Sequence, residues 1–420
     1  MGRVFQYQGN IYRAIRQEKT DFVKSLFSSG IISLLVGKKL LIPTEMTSFT
    51  MPGYGLILRH KTIPFLTRSF YWPRVALLDA AKLIVRLNLQ LLAFELGTID
   101  FHSFNVALGA DSRPQWIDFG SIIPVNLLEN VTVPDEFLEY FINPLLLYTR
   151  NADVGFACRQ LLQQEKIPTK DLFALTGMRF TLPPPGPRKA WLMSLMQWLE
   201  NVRLPNRDSE WGDYYMTDAG FNILSKDAVH APDSRMGVVQ SIVRKHRPRK
   251  VIDIGCNAGH FSCLAAYEGA EVHALDYDEN AIELFYHTLQ VENQQLPITL
   301  SIRDVTNWHP QYLFPCVADM VFALALTHHL SLGQNLSFER IAWLLSQYAS
   351  STLITDFMPR GLGVDRIHPD PLPSFYTLEN FMDALRPYFN SVRSIELVNT
   401  VGHRIIVCCE GRNKITAAGL

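Results

Sequence analysis

The sequence predicts an α/β protein whose carboxyl half is a doubly wound parallel sheet ending in an antiparallel strand pair. Three observations carry this: strands and helices alternate from residue 249 onward, a glycine-rich turn follows the first strand, and a proline run separates this half from an α+β half before it. The run is Leu182-Pro-Pro-Pro-Gly186-Pro-Arg188, which continues neither a helix nor a central strand and favours a stiff, extended connector. About 180 residues precede it and about 230 follow, each enough for a domain. The expected organisation is therefore a domain over 1–181, a linker over 182–188 and a second domain over 189–420.

In the second half the elements follow in order. Strands are predicted at 249–254, 270–275, 298–302, 318–326 and 351–356, all short and apolar. Helices are predicted at 259–267, 279–292, where Ile282, Phe285 and Leu289 share one face, 338–348 and 377–385. Segments 392–398 and 403–408, joined through Asn399 to Gly402, form the antiparallel hairpin. In the first half, 79–96 is a long helix with Leu83, Leu87 and Leu91 on one face. Tyr7-Gln-Gly9-Asn-Ile-Tyr12 is a candidate two-strand turn.

Composition narrows the function classes. Hydrophobic residues at 48% and charged residues at 19% describe a folded chain rather than a disordered one. Lys plus Arg is 39 and Asp plus Glu is 40, a net charge of −1, so no basic field favours nucleic acid as a partner. Six scattered cysteines (Cys158, Cys256, Cys263, Cys316, Cys408, Cys409) contain no CxxC pair, which argues against a disulfide framework and a structural zinc. The start of the chain lacks an apolar signal core, and the early apolar run 31–36 is too short to span a membrane. A cytoplasmic location is expected.

The first strand of the second half runs into Asp253-Ile-Gly255-Cys256-Asn257-Ala-Gly259 and then a helix. Glycines at such a turn allow close backbone approach to a ligand, and a helix amino terminus favours polar or anionic groups. The next strand ends in Asp276, followed by Tyr277. Asp276 lies 21 residues after Gly255, where a carboxylate can accept both hydroxyls of a ribose. Asp304 follows the third strand, where an adenine amino group can be read. The fourth strand ends Thr327-His328-His329-Leu330, at the edge where open α/β sheets bind ligands. Either histidine is a candidate base or a pocket wall, Asp356 after the fifth strand is another candidate, and orientation without any base is a third possibility.

This pattern resembles class I S-adenosylmethionine-dependent methyltransferases. The resemblance implies a seven-stranded Rossmann-like sheet and S-adenosylmethionine as cofactor, with Asp253, Gly255, Cys256, Asn257, Gly259, Asp276, Tyr277 and Asp304 around it. Asn257 stands where many members carry glycine, and it breaks the Gly-x-Gly-x-x-Gly that a nicotinamide-binding alternative wants. Ahead of this core, Trp211-Gly-Asp-Tyr214-Tyr215 and Lys226 look like a cofactor lid. Packing of those aromatics against the sheet edge is the alternative.

In the first half, Asp100, Asn105 and Asp118-Phe119-Gly120 have the spacing of the catalytic loop and metal-binding segment of protein kinases. That resemblance implies a kinase-like domain with a shortened amino-terminal lobe, and Mg-ATP as a second cofactor if the domain is active. The departures are a missing glycine-rich loop, no Val-Ala-Ile-Lys strand, and Thr98 in place of histidine. Lys38 and Lys39 are the available lysines. A degenerate scaffold is the expected state.

Nearly the whole chain is similar to a bacterial group of class I methyltransferases, the NoeA-type nodulation proteins. The strings that carry this are Leu77-Leu-Asp-Ala-Ala81, Trp116-Ile-Asp-Phe-Gly-Ser121, Ala325-Leu-Thr-His-His-Leu330 and Gly333-Gln-Asn335. The resemblance names a cofactor rather than a substrate. O-methylation of a small-molecule or saccharide acceptor is the expectation, from the fold-level analogy with bacterial polysaccharide-terminating enzymes that couple kinase and methyltransferase domains and from the near-zero net charge. A bifunctional kinase–methyltransferase and a non-enzymatic scaffold are the alternatives.

Overall fold

A computed structural model describes residues 1–128, 135–177, 187–209, 211, 230–291, 295–307, 317–362, 372–397 and 404–413. The chain divides into two compact units, Met1–Asp208 and Ser209–Leu420.

The first unit opens with strands β1 (Gly2–Tyr7) and β2 (Asn10–Arg16), antiparallel and joined by a tight turn. Gln8 (φ 46°) and Gly9 (φ 77°) are both left-handed, the conformation a two-residue hairpin loop requires. Helices α1 (Thr20–Ser28) and α2 (Ile31–Gly37) follow, and then β3 (Thr44–Met46) and β4 (Tyr54–His60) complete a sheet in the order β1-β2-β4-β3.

Helix α3 (Arg74–Leu92) begins five residues before the predicted start and ends four before the predicted end. Pro73 fixes the entry, and left-handed Glu95 (φ 57°) closes the exit into β5 (Leu96–Thr98). Beyond it, β6 (Val106–Leu108) pairs with β7 (Pro114–Trp116), and β5 pairs with β8 (Ile122–Pro124). Fully buried Asn88 staples α3 to β5. Its Nδ2 donates to the Ile84 carbonyl (3.0 Å) and Thr98 Oγ1 (2.9 Å), and its Oδ1 accepts the Thr98 N–H (3.0 Å).

Helix α4 (Asn143–Arg150) and helix α5 (Arg188–Asn201) also belong to this unit. Trp191, Leu192, Leu195 and Leu199 form the buried stripe of α5, which packs on α3. The division of the chain therefore falls after Asp208 and not at 182–188. Residues 182–186 of the expected linker lie outside the described residues.

In the second unit, β9 (Lys250–Ile254), β10 (Glu271–Asp276), β11 (Ile298–Ile302), β12 (Ala318–Ala323) and β13 (Ala349–Phe357) are parallel. Strands β14 (Phe389–Glu396) and β15 (Ile405–Arg412) are antiparallel to each other, and β15 is antiparallel to β13. The sheet order is β11-β10-β9-β12-β13-β15-β14, so the winding reverses between β9 and β12. Val251 to Ile254 are all buried, as a strand covered on both faces demands.

Helices α6 (Arg235–His246), α7 (His260–Tyr267), α8 (Glu279–Val291), α9 (Phe338–Ser346) and α10 (Leu378–Leu385) connect the strands. Ser234, Ser337 and Thr377 cap α6, α9 and α10 by accepting the N–H of Gly237, Arg340 and Asn380. Strand β12 stops three residues short of its predicted end, because Ala325 turns left-handed (φ 58°) and leaves the ladder. The last two strands are displaced from prediction by a few residues, and the connection over 398–403 lies outside the described residues.

Among the described residues, no single helix is long and apolar enough to cross a membrane. Replacing Asn88 by Ala strands the buried Thr98 N–H. We expect a loss of about 1–3 kcal/mol of stability, visible as a lower urea midpoint with an unchanged slope. An unchanged midpoint would show that the staple carries no net stability.

Candidate functional site

Ligands of open α/β sheets lie outside the carboxyl ends of the strands where the winding reverses. Here that place is the loop after β9. Gly255 (φ 73°), Asn257 (φ 48°) and Gly259 (φ 85°) are all left-handed, so the turn needs residues that tolerate positive φ. Asparagine is the non-glycine residue that does so most readily, which accounts for Asn257 at a position suited to glycine. A Cβ on Gly259 would lie 2.0 Å from the ring of Phe285 on α8, so the loop also seats that helix against the sheet.

The loop is held from β10. The N–H groups of Gly255 and Cys256 both reach the Leu275 carbonyl (2.8 and 3.0 Å). Asp276 then accepts the Asn257 N–H on Oδ2 (2.7 Å) and the Asp278 N–H on Oδ1 (2.9 Å). Each oxygen keeps a second lone pair, so both can accept a further hydroxyl. Burial pushes the Asp276 carboxyl up to about 6 against the pull of these N–H donors.

Asp278 caps α8 through the N–H groups of Asn280 and Ala281 on Oδ1, and takes Ser209 Oγ and the Trp211 N–H on Oδ2. Asn257 Nδ2 donates to the Trp211 carbonyl (3.1 Å), and the Trp211 ring meets His329 edge-on at 4.8 Å. Trp211 thus bridges the β9 loop and the end of β12. Tyr214, Tyr215 and Lys226, expected in a lid, lie outside the described residues.

The other expected cofactor residues differ in what they can offer. Asp253 is buried and accepts Ser262 Oγ from α7 (2.6 Å), so it braces the loop from beneath. Its carboxyl is pushed up to about 7, first by burial, with Asp276 adding and the Ser262 and Arg235 contributions opposing. Cys256 is buried too, its thiol raised well above the usual range. Tyr277 is exposed beside Asp276. Asp304 holds Thr306 through its N–H (2.9 Å) and Oγ1 (2.6 Å), at the end of β11.

On the other side of the reversal lie His328, His329 and Asp356. His328 is buried, lies against His329 with ring centres 4.1 Å apart and planes tilted by 42°, and has no partner for Nδ1 among the described residues. Burial, His329 and the nearby guanidiniums of Arg404 and Arg235 lower its pKa to about 2, so the ring stays neutral and takes no proton at neutral pH. Asp356 is fully buried. Its Oδ1 accepts the Ala325 N–H (2.8 Å), and its Oδ2 meets Arg235 (3.2 Å) and Arg404 (3.3 Å). A carboxylate so occupied anchors two cations and a backbone N–H.

The kinase-like spacing of the first unit places Asp118 beside Arg13 of β2, Oδ1 to Nη2 at 2.7 Å, with the Gly120 N–H on the same oxygen (3.1 Å). Asn105 is buried with Nδ2 unpartnered among the described residues, and burial raises the Asp100 carboxyl. Lys38 reaches Gln90 and Lys39 reaches Asp111. The Asp118 charge is met by Arg13.

Sequence reasoning missed Asp278, Ser262, Arg13, Arg235 and Arg404. An Asp just before a predicted helix is a capping signal that could have found Asp278. The arginines have no local signal, since only the sheet brings them to their carboxylates.

Residues 228–330 match the family described as tellurite resistance protein TehB, a stretch that includes the β9 loop and Asp276. The chain is 25% identical over 407 residues to the nodulation protein NoeA of Rhizobium meliloti (strain 1021), across 86% of this chain and 83% of that one. Solved structures it resembles include magnesium protoporphyrin IX methyltransferase (ChlM) from Synechocystis PCC 6803 with bound SAM (TM-score 0.33, 18% identity, 42% of this chain and 79% of that). TehB from Haemophilus influenzae (0.32, 19%, 48% and 67%) and the bifunctional kinase-methyltransferase WbdD (0.32, 15%, 44% and 40%) are others. The second unit is by its own sheet order a doubly wound α/β fold.

The raised Asp253 carboxyl makes stability depend on pH. Its folded pKa of about 7 exceeds its unfolded value of about 3.9, so its contribution is complete below pH about 4 and is lost as pH rises toward 7. Asn at this position still accepts from Ser262 but does not ionise. Asp253→Asn should therefore flatten the fall of melting temperature between pH 4 and 7. A fall as steep as wild type would place the titration elsewhere.

Proposed function

We propose that the second unit is an S-adenosylmethionine-dependent methyltransferase acting on oxygen of a small-molecule or saccharide acceptor. The observation that carries this reading is the left-handed Gly255-Cys-Asn257-Ala-Gly259 turn fastened to the Asp276 carboxylate. The TehB family match spans that turn and supports the same reading. The cofactor would supply a methyl group on a sulfonium carbon, open to in-line displacement.

The residues divide the work by position. Gly255 and Gly259 let the chain pass close to the cofactor, and Asp276 takes its ribose hydroxyls on lone pairs left over from the Asn257 and Asp278 N–H groups. Asp304 is the candidate for the adenine. Trp211, tied to Asn257 and edge-on to His329, stands between the cofactor side and the acceptor side. His328 is neutral and hydrogen-bonds the acceptor instead of deprotonating it. Catalysis then rests on orientation and exclusion of water, which suffices for a displacement whose leaving group is already activated.

Isothermal titration tests the reading. Wild type should bind S-adenosylmethionine, and Asp276→Ala should bind it at least about tenfold more weakly. That magnitude follows from losing hydrogen bonds to a charged acceptor, each worth about 1.5–3 kcal/mol. No binding by wild type, or undiminished binding by the variant, would reject it.

A further inference from the structure

The left-handed backbone of Asn257 would suit glycine as well, so its side chain has a task that the turn alone does not require. Both ends of the amide are used. Oδ1 accepts the Ala258 N–H (2.7 Å), a bond that stays inside the turn. Nδ2 donates to the Trp211 carbonyl (3.1 Å), a bond that leaves the turn for a residue 46 positions earlier.

The Trp211 backbone is gripped from its other side by Asp278. Oδ2 of that carboxylate accepts the Trp211 N–H (3.3 Å) together with Ser209 Oγ. Asn257 and Asp278 are also the two residues whose own N–H groups sit on Asp276, one on each oxygen (2.7 and 2.9 Å). Two arms therefore leave one carboxylate and close on one residue. The first runs through Asn257 to the Trp211 carbonyl, the second through Asp278 to the Trp211 N–H. Hydrogen bonds joined in this way polarise and support one another.

The ring beyond this grip belongs to the other side of the site. The Trp211 indole meets His329 edge-on, with centres 4.8 Å apart, and His329 lies against His328 at 4.1 Å. A shift of the Trp211 backbone thus carries the indole toward or away from the histidine pair.

We propose, on the methyltransferase reading above, that Trp211 is a positioning residue that couples the two sides. A cofactor bound to Asp276 fixes the Trp211 backbone through Asn257 and Asp278, and the indole then sets His329 and His328 for the acceptor. With both arms made, Asp276 presents its remaining lone pairs to the ribose hydroxyls. A ligand that needs this arrangement draws the population toward it. The acceptor wall is therefore completed by the cofactor, and binding is ordered, cofactor first. An acceptor that packs on Trp211 tightens cofactor binding by the same factor. Asn257 supplies the arm that glycine cannot.

Hydrogen exchange read by mass spectrometry tests this on the full chain, free and saturated with S-adenosylhomocysteine. The Trp211 amide is itself the donor to Asp278, so its exchange reports the grip directly. In wild type, S-adenosylhomocysteine should slow exchange of the peptide carrying Trp211 by about three- to tenfold, the effect of firming one or two hydrogen bonds. Asn257→Gly keeps the left-handed turn and loses the Nδ2 arm. With saturation confirmed by titration, its slowing should fall below about twofold. A merely structural role would change the free and loaded proteins alike and leave their ratio untouched. Trp211→Phe retains both arms, which hold backbone atoms, and should keep the wild-type ratio. On the acceptor side, the His329 ring resonance, assigned through His329→Gln, should move on adding S-adenosylhomocysteine to wild type and move less in Asn257→Gly.

If Asn257→Gly does not fold, Asn257→Asp takes its place, since it still accepts from Ala258 and cannot donate to the Trp211 carbonyl. Exchange in wild type that bound S-adenosylhomocysteine leaves unchanged, or an equal ratio and an equal His329 shift in the Asn257 variant, overturns the proposal. Failure of wild type to bind S-adenosylhomocysteine would instead overturn the methyltransferase reading.

Discussion

Asp276 accepting two backbone N–H groups is the constraint on which the turn after β9 and its neighbouring segments depend. A carboxylate at the end of a buried strand loses water and must find donors. The Asn257 and Asp278 N–H groups supply them, and each comes from a segment whose shape is thereby set. The first fastens a turn of three left-handed residues. The second presents Asp278 to cap α8 and to gather Ser209 and Trp211. One side chain thus coordinates the turn after β9, the helix after β10 and the segment ahead of the sheet.

The first unit solves a comparable problem with charge instead of backbone. Asp118 follows β7, and its carboxylate is met by Arg13 from a strand more than a hundred residues earlier. That pair ties the amino-terminal sheet to the segment after β7, while Asn88 ties α3 to β5. Spacing alone had suggested metal ligation at Asp118. An arginine opposite it gives the carboxylate a different counter-charge, and with it a structural task.

How much of this was legible in the sequence follows from the range of the interactions. The parallel strands and their helices repeat locally, so 250–254, 298–302 and 378–385 could be placed within a residue or so. The turn at Gly255 was legible because positive φ restricts residue choice. The domain division was not, since the apolar stripe of α5 gives no sign of which surface will cover it, and α3 lies about a hundred residues back. Nor was the task of Asp356, whose partners come from before the first strand of the sheet and from the entry to β15.

Strand β15 lies between β13 and β14 although it is the last of the three in sequence. During synthesis β14 therefore emerges before the strand it pairs with, and it joins the sheet only through β15. Arg404 arrives with that same strand, so Asp356 remains half-compensated until the final strand is in place. The second unit cannot complete its sheet stepwise from the amino terminus. Its closing step is the docking of β15, paired with β14, beside β13, and until then the β13 edge is open to mispairing.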